Sequence, residues 1–260
     1  LKREGSGFVY ETLDAGLEND SVFCLDATTR RPTYGWGCGF SDFDNDSYLD
    51  LFVINGDLHW SYPRPCVDES KMFVNQGDGT FQDETQTLGL SDPYMSRGGA
   101  FADYDNDGDI DILIGVSDSI VGNESVRLFR NNQSSGNWIS INLEGTIGNR
   151  DGFGARVTVK FDGRSLIREC DGGSSFNSHH SSIIHFGLGT AAVIDTIAVQ
   201  WLGGAVEEYY DVLVNQELTA VEQGNLVAVG ETVSSKNNLN LNLFPNPNNG
   251  GELKFQITST

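Results

Sequence analysis

The sequence predicts an all-β protein in which partial β-propeller blades are followed by a β-sandwich domain. Three observations predict this class: short apolar runs rich in β-branched residues, a repeated unit in the first half, and alternating strand patterns in the second half. No helical period of useful length occurs in residues 1–135. With 260 residues, the chain is long enough to build two separate cores.

A repeated unit organises the first half of the chain. The phrase F-x-x-E-T followed by G-L begins at Phe8 and again at Phe81. Strand-length apolar runs stand at Leu49–Ile54 and Ile110–Ile114, and the Asp-Gly pair within Asn75–Thr80 predicts a hairpin. Units of this size are typical of four-stranded propeller blades. Two such units do not close a ring, so we expect the remaining blades upstream or on another chain.

The second half of the chain changes pattern after a polar linker at residues 131–136. Alternating strands separated by Gly-rich and Asn-Arg-Asp-Gly turns then predict a β-sandwich that ends near residue 223. The predicted organisation is propeller repeats at 1–135, sandwich at 136–223, polar linker at 224–242, and the start of a truncated further domain at 243–260.

Charge and composition exclude several classes of partner. The net charge of −21 argues against nucleic acid and anionic membrane surfaces, because both are bound through basic clusters. No apolar run approaches the roughly 20 residues that a membrane span needs, so direct membrane insertion is not expected. Cys24, Cys38, Cys66 and Cys170 lack C-x-x-C spacing; one disulfide among the first three is expected in an oxidising compartment, with its pairing left open.

Two acidic loops carry the chemistry of the sequence. Aspartates stand at positions 1, 3, 5 and 9 of each loop, and the residue at position 7 would offer a backbone carbonyl. The candidate metal ligands are therefore Asp42, Asp44, Asp46, Tyr48 and Asp50 in the first loop, and Asp103, Asp105, Asp107, Asp109 and Asp111 in the second. Six to eight such oxygens suit Ca²⁺ before Mg²⁺. An EF-hand is excluded, since no flanking helices and no Glu at position 12 are present.

The alternative is that these loops are solvated acidic turns. Two unit charges about 4 Å apart repel by roughly 4 kcal/mol at an effective dielectric near 20. Four gathered carboxylates would therefore exceed the usual stability margin of about 5–15 kcal/mol unless a cation or protons were bound. Two copies in register, each bounded by apolar strands, favour the metal interpretation.

Both halves resemble known families. The D-F-D-N-D and D-Y-D-N-D-G-D loops and the N-Q-G-D-G-T-F phrase resemble the calcium loops of FG-GAP/VCBS repeats, which form integrin-α-like propellers. Asn149–Val157, His185–Gly189 and Val199–Gly204 resemble the ASPIC/UnbV domain, and Phe244–Gly250 resembles the opening of the type IX secretion sorting domain of Bacteroidetes.

These resemblances imply a secreted or cell-surface protein with structural Ca²⁺ and no catalysis of its own. Its role would be binding or adhesion to an extracellular protein or glycan, and the sorting segment would engage the secretion machinery. The rival hypothesis makes the chain the non-catalytic C-terminal part of a secreted polysaccharide-processing enzyme whose active site lies upstream. Ser47 replaces the usual Gly at position 6, whereas Gly108 keeps it, so the first site is expected to be weaker or less regular.

Other candidate sites carry less support from the sequence. His179, His180 and His185 suggest zinc, but adjacent histidines on a strand would point to opposite faces. Ser174, Ser175, Ser181 and Ser182 near these histidines suggest a nucleophile, but no G-x-S-x-G elbow is present. Trp60 lies in a loop and could contact a sugar, whereas Trp138 and Trp201 fit core positions.

Overall fold

The described part of the chain contains strands and no helix. The structure is a computed structural model that describes residues 2–4, 7–9, 11–19, 22–23, 30–31, 33–56, 68–92, 94–118, 123–133, 136–224 and 226–228. Within these residues, no helix is long and apolar enough to cross a membrane. The all-β prediction is confirmed.

Strands of the first half form open sheets. Their bounds are β1 Lys2–Glu4, β2 Gly7–Val9, β3 Val22–Phe23, β4 Arg30–Arg31, β5 Gly35–Ser41, β6 Asp50–Asn55, β7 Lys71–Asn75, β8 Phe81–Asp83, β9 Met95–Ala102, β10 Asp111–Asp118 and β11 Asn123–Phe129. The order β5-β6-β7-β8 forms one antiparallel blade, and β9-β10-β11 forms a second with three described strands. The first copy of the repeated phrase begins within β2, at Phe8, and the second copy begins with β8, at Phe81.

The two blades pack face to face through alternate side chains of their strands. Phe52 and Ile54 of β6 meet Phe101 of β9 and Ile112 and Ile114 of β10, and all five are at most 4 % exposed. Period-two alternation puts these residues on one face because successive strand side chains point to opposite sides. The apolar runs predicted as strands therefore form the interblade core.

Strands of the second half form a two-sheet sandwich. Their bounds are β12 Asn137–Glu144, β13 Arg156–Phe161, β14 Arg164–Glu169, β15 Ile184–Gly189, β16 Val193–Gln200, β17 Val206–Leu213, β18 Gln216–Val221 and β19 Leu226–Ala228. The sheet orders are β15-β12-β18-β19 and β14-β13-β16-β17, and β12 pairs with β18 in parallel. Ile139 and Ile141 of β12 share one core with Val157 and Val159 of β13. Trp201 is also buried there, as predicted.

Several expectations need correction. Strand β19 pairs with β18 and carries the sheet past the predicted end at residue 223, because a turn at Val221–Gly224 folds the chain back. His179 and His180 lie outside the strands, so the opposite-face argument does not apply to them. Trp138 is only half-buried and is not part of the sandwich core, because its indole lies against Gly108 of the loop between β9 and β10.

Two of the four cysteines lie within the described residues. Cys38 and Cys170 are free thiols, so no disulfide involves Cys38 here. Cys24, Cys66, Trp60 and residues 243–260 lie outside the described residues. The blades and the sandwich belong to one compact unit.

Candidate metal sites

The first acidic loop connects β5 to β6 in the first blade. Asp42 accepts hydrogen bonds from the backbone nitrogens of Asp46 (3.0 Å) and Ser47 (2.8 Å), which curl the loop around its carboxylate. Asp50, the first residue of β6, accepts from the backbone nitrogens of Phe43 (3.0 Å) and Asn75 (2.8 Å). Asp50 thus ties the loop to the neighbouring strand β7.

The second acidic loop, between β9 and β10, repeats this hydrogen-bond pattern. Asp103 accepts from the backbone nitrogens of Asp107 (3.1 Å) and Gly108 (2.9 Å). Asp111 accepts from the backbone nitrogens of Tyr104 (3.1 Å) and Asn131 (2.7 Å). The two loops are the same local structure built twice.

Each loop gathers three carboxylates. One oxygen from each of Asp42, Asp44 and Asp50 lies within 4.8 Å of the other two, and the same holds for Asp103, Asp105 and Asp111. Among the described residues, these are the two groups of His, Cys, Asp or Glu that meet this distance. The positions gathered are 1, 3 and 9 of each loop.

The remaining predicted ligands lie beside these groups. Asp46 and Asp107, at position 5, turn back to accept from the backbone nitrogens of the position-7 residues Tyr48 (2.7 Å) and Asp109 (3.1 Å). The Asp109 side chain accepts from Asn45 (3.0 Å), and the Tyr48 ring packs under the guanidinium of Arg164. The Asp109 side chain does not join its triplet, and the contribution of a backbone carbonyl at position 7 stays a prediction.

Left-handed backbone conformations shape both turns. Asn45 and Asn106, at position 4, both have φ of 59°, which asparagine tolerates well. Position 6 has φ of 78° at Ser47 and 92° at Gly108. Ser47 therefore adopts the left-handed backbone conformation that glycine favours and that was expected to be strained for serine.

Burial and mutual repulsion disfavour ionisation of the gathered carboxylates. Burial first, and then the charges of Asp46, Asp44 and Asp50, raise the pKa of Asp42 to about 8. Burial is also the main cause that raises the pKa of Asp50 to about 7. In the second loop, burial is the largest cause that raises to about 6 the pKa of Asp111, a member of the triplet, and the pKa of Asp109, which lies beside it. Without a cation, the first loop therefore binds protons near neutral pH.

These groups fit a calcium ion. Calcium–oxygen distances of about 2.3–2.6 Å allow one ion to bridge oxygens up to roughly 5 Å apart, and the gathered oxygens lie within 4.8 Å of one another. The Oδ1 atom of Asp105 is buried and has no hydrogen-bond partner, as expected for an atom reserved for a ligand. All-oxygen donors are the ligands that hard cations prefer.

A buried polar chain joins both loops to the sandwich. Asn45 donates to the Gly108 carbonyl (3.1 Å) and to Asp109 (3.0 Å), so it bridges the two loops. Its Oδ1 faces Nε2 of His185 (2.7 Å), whose Nδ1 faces the Ser140 hydroxyl (3.0 Å). Burial first, and then the guanidinium of Arg168, lowers the pKa of His185 to about 3, so the ring is neutral. Nε2 therefore donates to Asn45, and Nδ1 accepts from Ser140.

Close contacts at this junction require small residues. A Cβ atom on Gly187 of β15 would overlap Oδ2 of Asp42, and one on Gly108 would overlap the indole of Trp138. The Asn45 carbonyl also accepts from the Gly189 backbone nitrogen (2.8 Å). The H-F-G-L-G phrase, His185–Gly189, thus lies in β15, the strand that packs against the first loop and is called the docking strand below. The sequence motifs did not predict this role.

The other candidates do not assemble a site among the described residues. His185 uses both ring nitrogens, and Nδ1 of His180 accepts from the Phe101 backbone nitrogen (3.3 Å) while its ring stacks on Phe101. Ser174 accepts from the backbone nitrogen of His180 rather than from its ring. The close serine–histidine pair is Ser140 with His185, which is part of the junction.

Comparison with known proteins defines the class of both halves. Residues 42–114 match the family model described as FG-GAP-like repeat, and residues 145–227 match the model described as ASPIC and UnbV. The two matched segments are thus similar to FG-GAP-like repeats and to the ASPIC/UnbV domain, the same families that the sequence motifs indicated. The acidic loops lie within the first match, and the docking strand β15 lies within the second.

The chain is similar to cartilage acidic protein 1 of three vertebrates. Identity is 28 % over 169 residues with the mouse protein and 27 % over 169 residues with the human protein. It is 28 % over 171 residues with the Xenopus tropicalis protein. The matches cover 63–64 % of this chain and 24–25 % of each relative, so the chain spans about a quarter of their length.

The raised carboxylate pKa values predict that the metal-free protein loses stability as pH rises. The folded-state pKa of Asp42, about 8, lies above its ordinary value of 3.8, so the stabilising contribution is fully present below about pH 4 and is lost on approaching pH 8. In chelator, we expect the unfolding midpoint to fall by several degrees between about pH 6 and pH 8. Asp42→Asn should make the unfolding midpoint depend less on pH. An unchanged pH dependence would contradict the raised pKa of Asp42 as its cause.

Asn45 is predicted to be the main polar support of the junction. Asn45→Ala leaves the buried partners Gly108 and Asp109 of the second loop and His185 of the sandwich unsatisfied, so it should lower the free energy of unfolding by about 2–4 kcal/mol. Asn106→Ala is the matched control, because Asn106 has the same φ of 59° but is exposed. Its cost should stay below about 1 kcal/mol in chemical denaturation. Equal costs for the two variants would argue against the junction role.

Substitution of Gly108 tests whether the second loop packs against Trp138. Gly108→Ala should lower stability by about 1–3 kcal/mol more than Gly79→Ala and shift Trp138 fluorescence, because its Cβ must displace the indole. Gly79 has nearly the same φ, 93° against 92°, but a Cβ there meets no atom within 4 Å. The difference between the variants therefore isolates the collision from backbone strain. Similar losses would show that Trp138 does not pack on the loop.

Proposed function

We propose that this chain is part of an extracellular calcium-binding protein that acts as a binding or adhesion module. The observation that carries the proposal is the repeated acidic loop, in which three carboxylates meet within 4.8 Å at the same positions in both blades. The match of this region to FG-GAP-like repeats supports it.

In this proposal, the two triplets each hold one Ca²⁺. Asp42, Asp44 and Asp50 form the first site, and Asp103, Asp105 and Asp111 form the second. A bound ion would supply positive charge that offsets the repulsion among the carboxylates. The affinity expected for extracellular modules corresponds to Kd values of about 10⁻⁴–10⁻³ M.

The role proposed for calcium is structural. Asp50 and Asp111 also receive backbone hydrogen bonds from Asn75 and Asn131, so order at the first site is tied to β7 and order at the second site is tied to the segment that follows β11. The first loop further contacts the sandwich through Asn45 and His185. Calcium would therefore support both the blades and the position of the sandwich.

The partner proposed is an extracellular protein or glycan. Support comes from the FG-GAP and ASPIC/UnbV matches and from the cartilage acidic proteins, whose name associates those relatives with cartilage. We further propose that the chain has no catalysis of its own and that residues 243–260 engage a secretion system.

The proposed partner class is tested by binding of the full chain to glycan and matrix-protein arrays, in calcium and in chelator. Absent binding, or binding that does not depend on calcium, would count against an extracellular protein or glycan partner.

The calcium proposal is tested by thermal unfolding of the full chain in calcium and in chelator. Millimolar calcium should raise the wild-type midpoint by several degrees, because an ion that binds the native state shifts the equilibrium by mass action. Asp44→Asn with Asp105→Asn should remove most of this rise, since each substitution removes one charged ligand from a triplet.

A matched variant controls for net charge. Asp162→Asn with Asp211→Asn removes the same two charges at exposed positions of the sandwich, whose positive φ values of 47° and 55° asparagine tolerates. This variant should keep the calcium-dependent rise. Absence of any rise in the wild type at millimolar calcium would refute calcium binding by these loops.

A further inference from the structure

A cavity of about 150 Å³ lies between the two blades and the sandwich. Part of its wall is apolar and contains the buried side chains of Phe101, Ile110 and Ile184. Arg168 of β14 lines the same cavity, whereas none of the carboxylates gathered in the two acidic loops does. A cavity of this size can hold a molecule of about six heavy atoms, so it has room for a small ligand.

Arg168 directs its side chain to the core side of its sheet. It pairs with Val157 of β13, whose side chain is buried in the sandwich core, and residues paired across two strands share one face. The guanidinium lies over the Phe186 ring, 5.2 Å from its centroid, and Nη1 donates to the Ile167 carbonyl (3.0 Å). Its Nη2 is buried and has no hydrogen-bond partner. A buried charged donor without an acceptor is costly, so this atom is suited to a ligand.

Carboxylates of the protein do not fill this need of Arg168. Arg130, in contrast, pairs with Asp105 (2.7 Å) and Asp107 (3.2 Å), but no salt bridge within the described residues includes Arg168. Burial lowers the pKa of Arg168, and the nearby charge of Asp42 raises it by less. Both oxygens of Asp42 already accept hydrogen bonds from backbone nitrogens of its own loop.

Two further carboxylates at the cavity have other partners and face solvent. Glu169 lies 2.6 Å from Nη2 of Arg156, and Asp171 lies 3.7 Å from Nε2 of His179. The side chains of Glu169 and Asp171 are 62 % and 60 % exposed, so water and salt screen their charges. These carboxylates therefore repel an anion in the cavity only weakly.

Other polar side chains that line the cavity can donate hydrogen bonds. The hydroxyl oxygens of Ser174 and Ser181 accept from the backbone nitrogens of His180 (3.3 Å) and Ile183 (3.2 Å), so each O–H hydrogen can be donated to a ligand. Nδ1 of His180 accepts from the Phe101 backbone nitrogen, so Nε2 carries the ring hydrogen of the neutral form. A wall with these donors suits a ligand that accepts hydrogen bonds.

We propose that this cavity binds a small monocarboxylate, whose carboxylate contacts Nη2 of Arg168 and whose short apolar chain packs on Phe101, Ile110 and Ile184. The inference goes beyond the proposed function and does not depend on calcium. Hydrogen bonds between guanidinium and carboxylate are among the strong ones, because both groups are charged. Sulfate and phosphate have no apolar part, so the apolar wall favours the monocarboxylate over them.

The test is the binding of butyrate, a monocarboxylate of six heavy atoms, to the full chain near neutral pH. Calcium-free buffer is used because calcium also binds carboxylates. We expect saturation transfer from the protein to the butyrate protons in NMR, with a Kd of about 1–10 mM. At about 50 mM butyrate, the unfolding midpoint should rise by roughly 2–8 °C relative to chloride at equal ionic strength. Sulfate at the same ionic strength should give a smaller rise.

Two substitutions of Arg168 test its role. Arg168→Gln removes the charge and should weaken butyrate binding about tenfold or more. Arg168→Lys keeps the charge but loses the planar group, so it should weaken binding about three- to tenfold, and it guards against a folding defect of Arg168→Gln. Binding that both variants leave unchanged would overturn the inference.

Lys160→Gln is the matched control for net charge. Lys160 is exposed on β13, three residues from Val157 and therefore on the opposite face of the sheet from Arg168. It should leave butyrate affinity within about twofold of the wild type, as expected for a screened surface charge. A wild-type chain that responds to butyrate no more than to chloride would show that the cavity holds water only, and a larger response to sulfate would overturn the ligand class. Because calcium is absent, neither result bears on the calcium proposal.

Discussion

Electrostatic repulsion between gathered carboxylates is the constraint on which the rest of this structure depends. Unit charges 4.8 Å apart repel by roughly 3–4 kcal/mol per pair at an effective dielectric near 20, against a typical total stability of about 5–15 kcal/mol. Backbone donors from Ser47, Phe43 and Asn75 hold the first-loop carboxylates in place despite this cost. Burial first, and this repulsion second, raise the pKa of Asp42, and a divalent cation would offset the repulsion.

The acidic loops also join the blades to the sandwich. Asn45 lies within the acidic run, yet its side chain faces away from the triplet towards Gly108, Asp109 and His185. Gly187 lets β15 approach Asp42 closely. Order in the first loop is therefore coupled to the packing of a second domain, which makes the loop part of a junction as well as a candidate ion site.

The local sequence pattern was sufficient to predict the strands and the acidic loops. Alternating apolar residues such as Phe52 and Ile54 fall on the interblade face because side-chain direction in a strand repeats every two residues. Aspartates two residues apart in a tight turn converge, so Asp42 and Asp44 approach each other and meet Asp50. The roles of Arg130, Trp138 and His185 were not accessible in this way, since their partners lie 23 or more residues away in the chain.

By itself, the sequence determined the all-β class, the repeated blades, the start of the sandwich and the aspartates at positions 1, 3 and 9 of each loop. These features follow from periodicity and spacing within a few residues, where backbone geometry alone sets which side chains are neighbours. Only the tertiary structure decided that Arg130 pairs with the second loop, that Asn45 links the loops to His185, and that β19 extends the sandwich. These contacts join residues distant in sequence, and only the packing of complete sheets brings them together.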